Sequence, residues 1–137
     1  MDAFLGKKYV LANSEHFEDY LIFLEFGYFA RKTAMGLRQE HVLTLNEDGS
    51  YSFMFSSPLA SSTVTFTSGF EVEEVKPDGV KVKSTITIED NVMTHIQVEE
   101  SGRTSKHVRE FYEDKMIVTT TAEGFNKTAK RYYVVEQ

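Results

Sequence analysis

Thr104-Ser-Lys-His-Val-Arg-Glu-Phe-Tyr112, Lys115-Met-Ile-Val-Thr-Thr-Thr-Ala122 and Thr128-Ala-Lys-Arg-Tyr-Tyr-Val-Val135 are three consecutive runs rich in β-branched and aromatic residues. Turns at Glu113-Asp114 and Glu123-Gly124-Phe125-Asn126 separate them. Such runs read as strands. Strand side chains alternate between faces with period two. His107, Arg109 and Phe111 therefore share one face of the first strand, and Ala129, Arg131 and Tyr133 share one face of the last. If both faces turn to one interior, two guanidinium groups and a phenol point inward. No Asp or Glu accompanies them on those faces. A buried unpaired charge loses its hydration, so such an interior must hold water or an anion from outside, and the missing carboxylate belongs to a ligand. The competing reading is that strand arginines point at solvent, which is the commoner arrangement. Alternation alone leaves both open.

Strands also fill the chain upstream. Gly6 to Ala12 reads as a first strand. Ser14 is a candidate N-cap with Glu15 in the first turn, where a negative charge suits the helix dipole. Phe17, Tyr20, Leu21 and Leu24 then form one apolar helical stripe. Gly27 interrupts, and Tyr28 to Arg38 reads as a second short helix with Arg31 and Lys32 outside. From His41 the pattern is strands again: His41–Leu45, Tyr51–Phe55, Ser62–Thr67, Phe70–Val75, Val80–Glu89 and Val92–Glu99. Turn signals separate them, among them Asn46-Glu-Asp-Gly49, Ser57-Pro58 and Lys76-Pro-Asp-Gly79. Short strands at even spacing predict a meandering antiparallel barrel capped by a helix-turn-helix. A plausible inner face carries His95, Gln97, His107, Arg109, Thr120, Arg131 and Tyr133. Polar groups inside without obvious partners predict a wet cavity.

The 137 residues fit one domain, with no linker or repeat. A formal net charge of −6 argues against general nucleic-acid affinity. The absence of cysteine excludes disulfides and thiol catalysis. The apolar run Tyr20–Leu24 is far too short to span a membrane, and Met1 to Lys8 lacks the order of a signal peptide. The expectation is a soluble, cytoplasmic monomer. His16, His41, His95 and His107 show no metal-ligand spacing, and neither a metal nor a cofactor is expected.

In order and at similar spacing, several segments resemble the intracellular lipid-binding proteins of the fatty-acid-binding kind. Asp2-Ala-Phe-Leu-Gly6 and Ser14-Glu-His-Phe-Glu-Asp-Tyr20 resemble the family's first strand and helix. Phe29-Ala-Arg-Lys32 resembles its second helix. Lys81-Val-Lys-Ser-Thr-Ile-Thr87 and Asn91-Val-Met-Thr-His-Ile-Gln97 resemble later strands. Arg109 matches the arginine of the eighth strand, and Arg131-Tyr132-Tyr133 matches an Arg-x-Tyr near the C-terminus. The resemblance covers essentially the whole chain. It departs where the family usually carries Trp, a role that falls to Tyr9, and in a longer final turn before Arg131.

The resemblance implies an all-β, ten-stranded antiparallel up-and-down β-barrel of two near-orthogonal sheets over residues 1–137, closed by a helical lid at about residues 14–38. It implies one long-chain fatty acid per chain, its carboxylate on Arg109, Arg131 and Tyr133. Phe17, Tyr20, Phe29, Leu59, His95, Gln97, His107 and Thr120 would line the cavity or its portal, with Phe17, Tyr20, Leu21, Leu24 and Phe29 facing inward from the lid. Arg31 and Lys32 are either a solvated helix face or a small basic patch for transient contact with anionic membranes. Retinoic acid is the alternative ligand, since it could use the same arginines; retinol would not need them. An enzyme is not expected, because no nucleophile–base pair or acid–base carboxylate pair stands out. A structural adaptor bridging bilayers is disfavoured by the negative net charge.

Overall fold

The structure, a computed structural model, describes residues 1–76 and 79–136. Its strands are β1 (Tyr9–Glu15), β2 (Glu40–Leu45), β3 (Tyr51–Ser56), β4 (Ser61–Phe66), β5 (Glu71–Val75), β6 (Lys81–Glu89), β7 (Val92–Glu99), β8 (Thr104–Phe111), β9 (Lys115–Ala122) and β10 (Ala129–Val135). Two helices, α1 (Phe17–Phe23) and α2 (Tyr28–Gly36), stand between β1 and β2. Each strand pairs antiparallel with its chain neighbour except across β4–β5, and β1 pairs with β10 to bring the ends together. The ladder runs β4-β3-β2-β1-β10-β9-β8-β7-β6-β5. Its two edges, β4 and β5, line a common crevice with no ladder between them among the described residues. The result is a nearly closed ten-stranded barrel with a helical lid.

Period-two patterning sorts the inner face. On β8 the inward residues are Ser105, His107, Arg109 and Phe111; on β10 they are Ala129, Arg131 and Tyr133. Phe111 and Tyr133 join one apolar cluster with Tyr9, Leu43, Phe66 and Met116. Ala129 joins a second, under the lid, with Phe17, Tyr20 and Leu21. Strand register therefore sets His107, Arg109 and Arg131 in a polar belt between two apolar clusters. Tyr9 is fully buried, its ring edge-on to Phe111 and its hydroxyl donating to the Tyr112 carbonyl. At the β7–β8 turn, Gly102 takes φ +94°, a conformation that a side chain would strain.

Several boundaries differ from the sequence reading. Ser14 is not an N-cap. The ladder with β10 continues through Ser14 and Glu15 after an irregularity between Leu11 and Asn13, and α1 begins at Phe17 behind a left-handed His16. Cross-strand pairing outcompetes the local capping signal here. The lid helices accordingly occupy Phe17–Gly36, inside the expected span of 14–38. The 3-10 turn at Asp2–Phe4 was not anticipated. Of the expected turn at Lys76–Gly79, Pro77 and Asp78 lie outside the described residues.

Candidate functional site

The barrel encloses a cavity of about 520 Å3, within the ~300–1,000 Å3 typical of small-molecule sites. Its wall is largely apolar near the lid, where Phe17, Leu21, Leu24, Phe26 and Leu37 contribute. The polar belt supplies His41, Glu74, His95, Gln97, His107, Arg109 and Arg131.

Arg109 and Arg131 are buried to 5% and 8% exposure. Each guanidinium lies 4.6 Å from an aromatic centroid, Arg109 over Phe53 and Arg131 over Phe17. Cation–π attraction offsets part of the desolvation cost. Among the described residues, neither arginine forms an ion pair with Asp or Glu, and the Nε of each is unpartnered. Burial first, and Arg131 second, lower the pKa of Arg109 to about 10, so it remains charged at neutral pH.

A hydrogen-bond relay leads away from Arg109. A guanidinium only donates, so Arg109 Nη1 donates to His95 Nδ1 at 3.0 Å. His95 then carries its proton on Nε2 and donates to Glu74 Oε1 at 2.8 Å. Ser84 and Gln97 donate to the same oxygen at 2.5 and 3.1 Å. With its amide nitrogen so engaged, Gln97 presents Oε1 to His107 Nε2 at 2.8 Å. His107 Nδ1 accepts from the Thr120 hydroxyl, also at 2.8 Å. Burial alone would raise the Glu74 carboxyl; the hydrogen bond and electrostatic attraction to His95, and then the hydrogen bonds from Ser84 and Gln97, overcome that and hold it down to about 2. Burial, reinforced by Arg109, keeps His107 neutral well below the usual histidine range.

Arg131 is bound differently. Its Nη1 donates to the Tyr133 hydroxyl at 3.1 Å, and that hydroxyl lies 3.3 Å from His41 Nε2. Having accepted from Arg131, the phenol donates to His41, which places the imidazole proton on Nδ1. That buried nitrogen is unpartnered. Burial, with Arg109 and Arg131 nearby, lowers the His41 pKa well below its usual value.

The residues singled out from sequence thus occupy distinct layers. Phe17, Tyr20, His95, Gln97, His107, Arg109 and Arg131 line the cavity. Tyr133 and Thr120 are fully buried and stand behind it, supporting Arg131 and His107. The Tyr20 hydroxyl donates to Ser105 at 3.0 Å and ties the lid to β8. Phe29, expected to face inward, is 83% exposed at the rim, and Leu59 is 72% exposed there; the first turn of α2 projects beyond the barrel mouth. Arg31 and Lys32 both pair with Glu18, at 3.5 and 2.8 Å. Sequence reasoning missed Glu74 and His41. His41 alternates inward with Leu43, a legible signal. Glu74 lies in Glu71-Val-Glu-Glu-Val75, where Val72 and Glu74 share a face that acidic composition disguises as solvent-facing.

No family model matches the chain. Individual relatives do. Fatty acid-binding protein homolog 5 of Caenorhabditis elegans is 34% identical over 137 residues, 98% of this chain and 98% of its own length. The chain belongs to the fatty acid-binding protein family. Among solved fatty acid-binding proteins, that of Drosophila melanogaster brain tissue superposes with a TM-score of 0.85 at 34% identity, over 96% of this chain and 98% of its own. A fatty acid-binding protein of Schistosoma mansoni, in complex with arachidonic acid, gives 0.89 at 28% identity over 100% and 98%. The lidded ten-stranded barrel is the fold of these fatty acid-binding proteins.

Proposed function

We propose that this chain binds one long-chain fatty acid in its cavity and carries it through the aqueous phase without chemical turnover. The carboxylate is held by Arg131 and Arg109, with Tyr133 orienting the Arg131 guanidinium from behind the wall and His41 Nδ1 offering a further donor. The single observation that carries this reading is Arg131: a buried cation at the cavity wall with no carboxylate partner among the described residues. Arg109 and Arg131 against Glu74 leave one positive charge in the belt, which one carboxylate neutralises. Guanidinium is permanently charged and matches carboxylate geometry. The schistosome relative with arachidonic acid supports the ligand class.

The acyl tail lies along the apolar wall under the lid, each buried methylene contributing about 0.8 kcal/mol before ordering costs. Phe29 and Leu59 border the mouth. Transient contact with anionic membranes through Arg31 and Lys32 belongs to the proposal, although Glu18 already balances part of that charge. Retinoic acid is the second reading, because it presents the same head group.

Calorimetric titration of delipidated protein with oleate, retinoic acid and retinol, repeated on Arg131→Gln, tests the proposal. One oleate per chain, no retinol binding and a tenfold or greater loss in the variant (~1.4 kcal/mol) support it. Unchanged oleate affinity in the variant places the head group elsewhere.

A further inference from the structure

Glu74 is an odd group in a cavity suited to an acid. It is an anion on the inner face of β5, with a side chain only 11% exposed. Its charge repels a fatty-acid head group, so its own preferred neighbour is a donor. Ser84, His95 and Gln97 all donate to Oε1. Oε2 has no hydrogen-bond partner among the described residues. Glu74 lines both the cavity and the crevice between β4 and β5. A plain acyl chain laid against a carboxylate oxygen strips its hydration and returns nothing. A chain bearing a hydroxyl at that point returns a charge-assisted hydrogen bond.

The position along the ligand also follows. One imidazole and two hydrogen bonds, of 3.0 and 2.8 Å, separate Arg109 from Glu74. A group that meets Glu74 while the carboxylate sits at the arginines therefore lies on the carboxyl half of the chain. We propose that Glu74 Oε2 forms a second polar subsite that accepts a hydrogen bond from a hydroxyl on that half, making hydroxylated long-chain fatty acids the preferred ligand class. This rests on the reading of the cavity as a fatty-acid site.

The test compares stearate with hydroxystearates carrying the hydroxyl at successive positions, and with the matching ketostearates, on wild type and on Glu74→Gln. A ketone accepts but cannot donate. In wild type, hydroxyls over a narrow band of positions on the carboxyl half bind about tenfold tighter than stearate, and the ketones bind no tighter. In Glu74→Gln the amide oxygen stays on Ser84, His95 and Gln97, and the amide N–H2 replaces Oε2. The ketones then gain and the hydroxyl advantage shrinks.

The subsite is overturned if no hydroxyl position improves on stearate, if ketone and hydroxyl gain equally in wild type, or if the hydroxyl advantage persists unchanged in the variant. Should Glu74→Gln fail to fold, the wild-type comparison of hydroxyl with ketone still decides. Stearate binding lost on Arg131→Gln, with no hydroxyl gain, sinks the subsite alone; no binding of any acid sinks the fatty-acid reading and the subsite with it.

Discussion

Arg109 Nη1 lies 3.0 Å from His95 Nδ1, and the opposite nitrogen of that ring lies 2.8 Å from Glu74 Oε1. Arg109 thus reaches a carboxylate of its own chain through one neutral imidazole. Arg131 ends instead on a phenol, Tyr133. The two cations are unequal in their need for an outside anion.

Arg131→Gln should therefore weaken fatty-acid binding by at least about tenfold, and Arg109→Gln by less. Removing an uncompensated buried charge should also make the ligand-free Arg131→Gln protein more stable than wild type. Titration and denaturant unfolding of both variants check this pair of outcomes. Equal affinity losses would remove the asymmetry.

His41→Phe should cost about 1 kcal/mol of binding, near fivefold. The phenyl ring keeps the packing against Phe53 and Phe55 but leaves the Tyr133 hydroxyl without an acceptor and removes the free Nδ1 donor. A fatty alcohol titrated alongside the acid should lose less. Matching losses for acid and alcohol would make His41 a packing residue only.

Acid should destabilise the fold in two stages. His41 and His107 stay neutral when folded, mainly through burial. Below pH 6.5 the unfolded chain takes up protons that the native state refuses. Each such histidine then costs about 1.4 kcal/mol per pH unit. Glu74 acts lower. Its stabilising contribution is complete above pH 4.5 and is lost as pH falls from there toward about 2. Urea unfolding across this range should show the first limb, and His107→Gln should flatten it. A level profile between pH 7 and 5 would contradict the buried-neutral assignment.

Phe29 and Leu59 project from the rim into solvent. Their alanine variants should leave unfolding free energy within about 0.5 kcal/mol and raise the ligand off-rate in stopped-flow measurements. Destabilisation beyond that would place these side chains in the core.

Strand content was readable because inward and outward positions differ in chemistry along most strands. On Val80–Glu89, Val82, Ser84 and Ile86 turn in while Lys81 and Lys83 turn out. The sharing of one interior by Arg109 and Arg131 was legible as one of two options, and closure through β1–β10 selects it. Glu74 was not legible, because three glutamates in five residues look alike and only tertiary donors single one out. Nor was the start of α1, where the ladder extends through a residue with a strong capping propensity. Phe29 illustrates a further limit: helical periodicity gives a face, but not whether anything stands opposite it.

The unzipped seam between β4 and β5 has a mechanical consequence. A fully laddered barrel has a circumference fixed by its strand count, and stretching it means breaking hydrogen bonds. Opening along the seam would break no ladder hydrogen bond, while the nine strand pairings from β4 round to β5 hold the arginines in register.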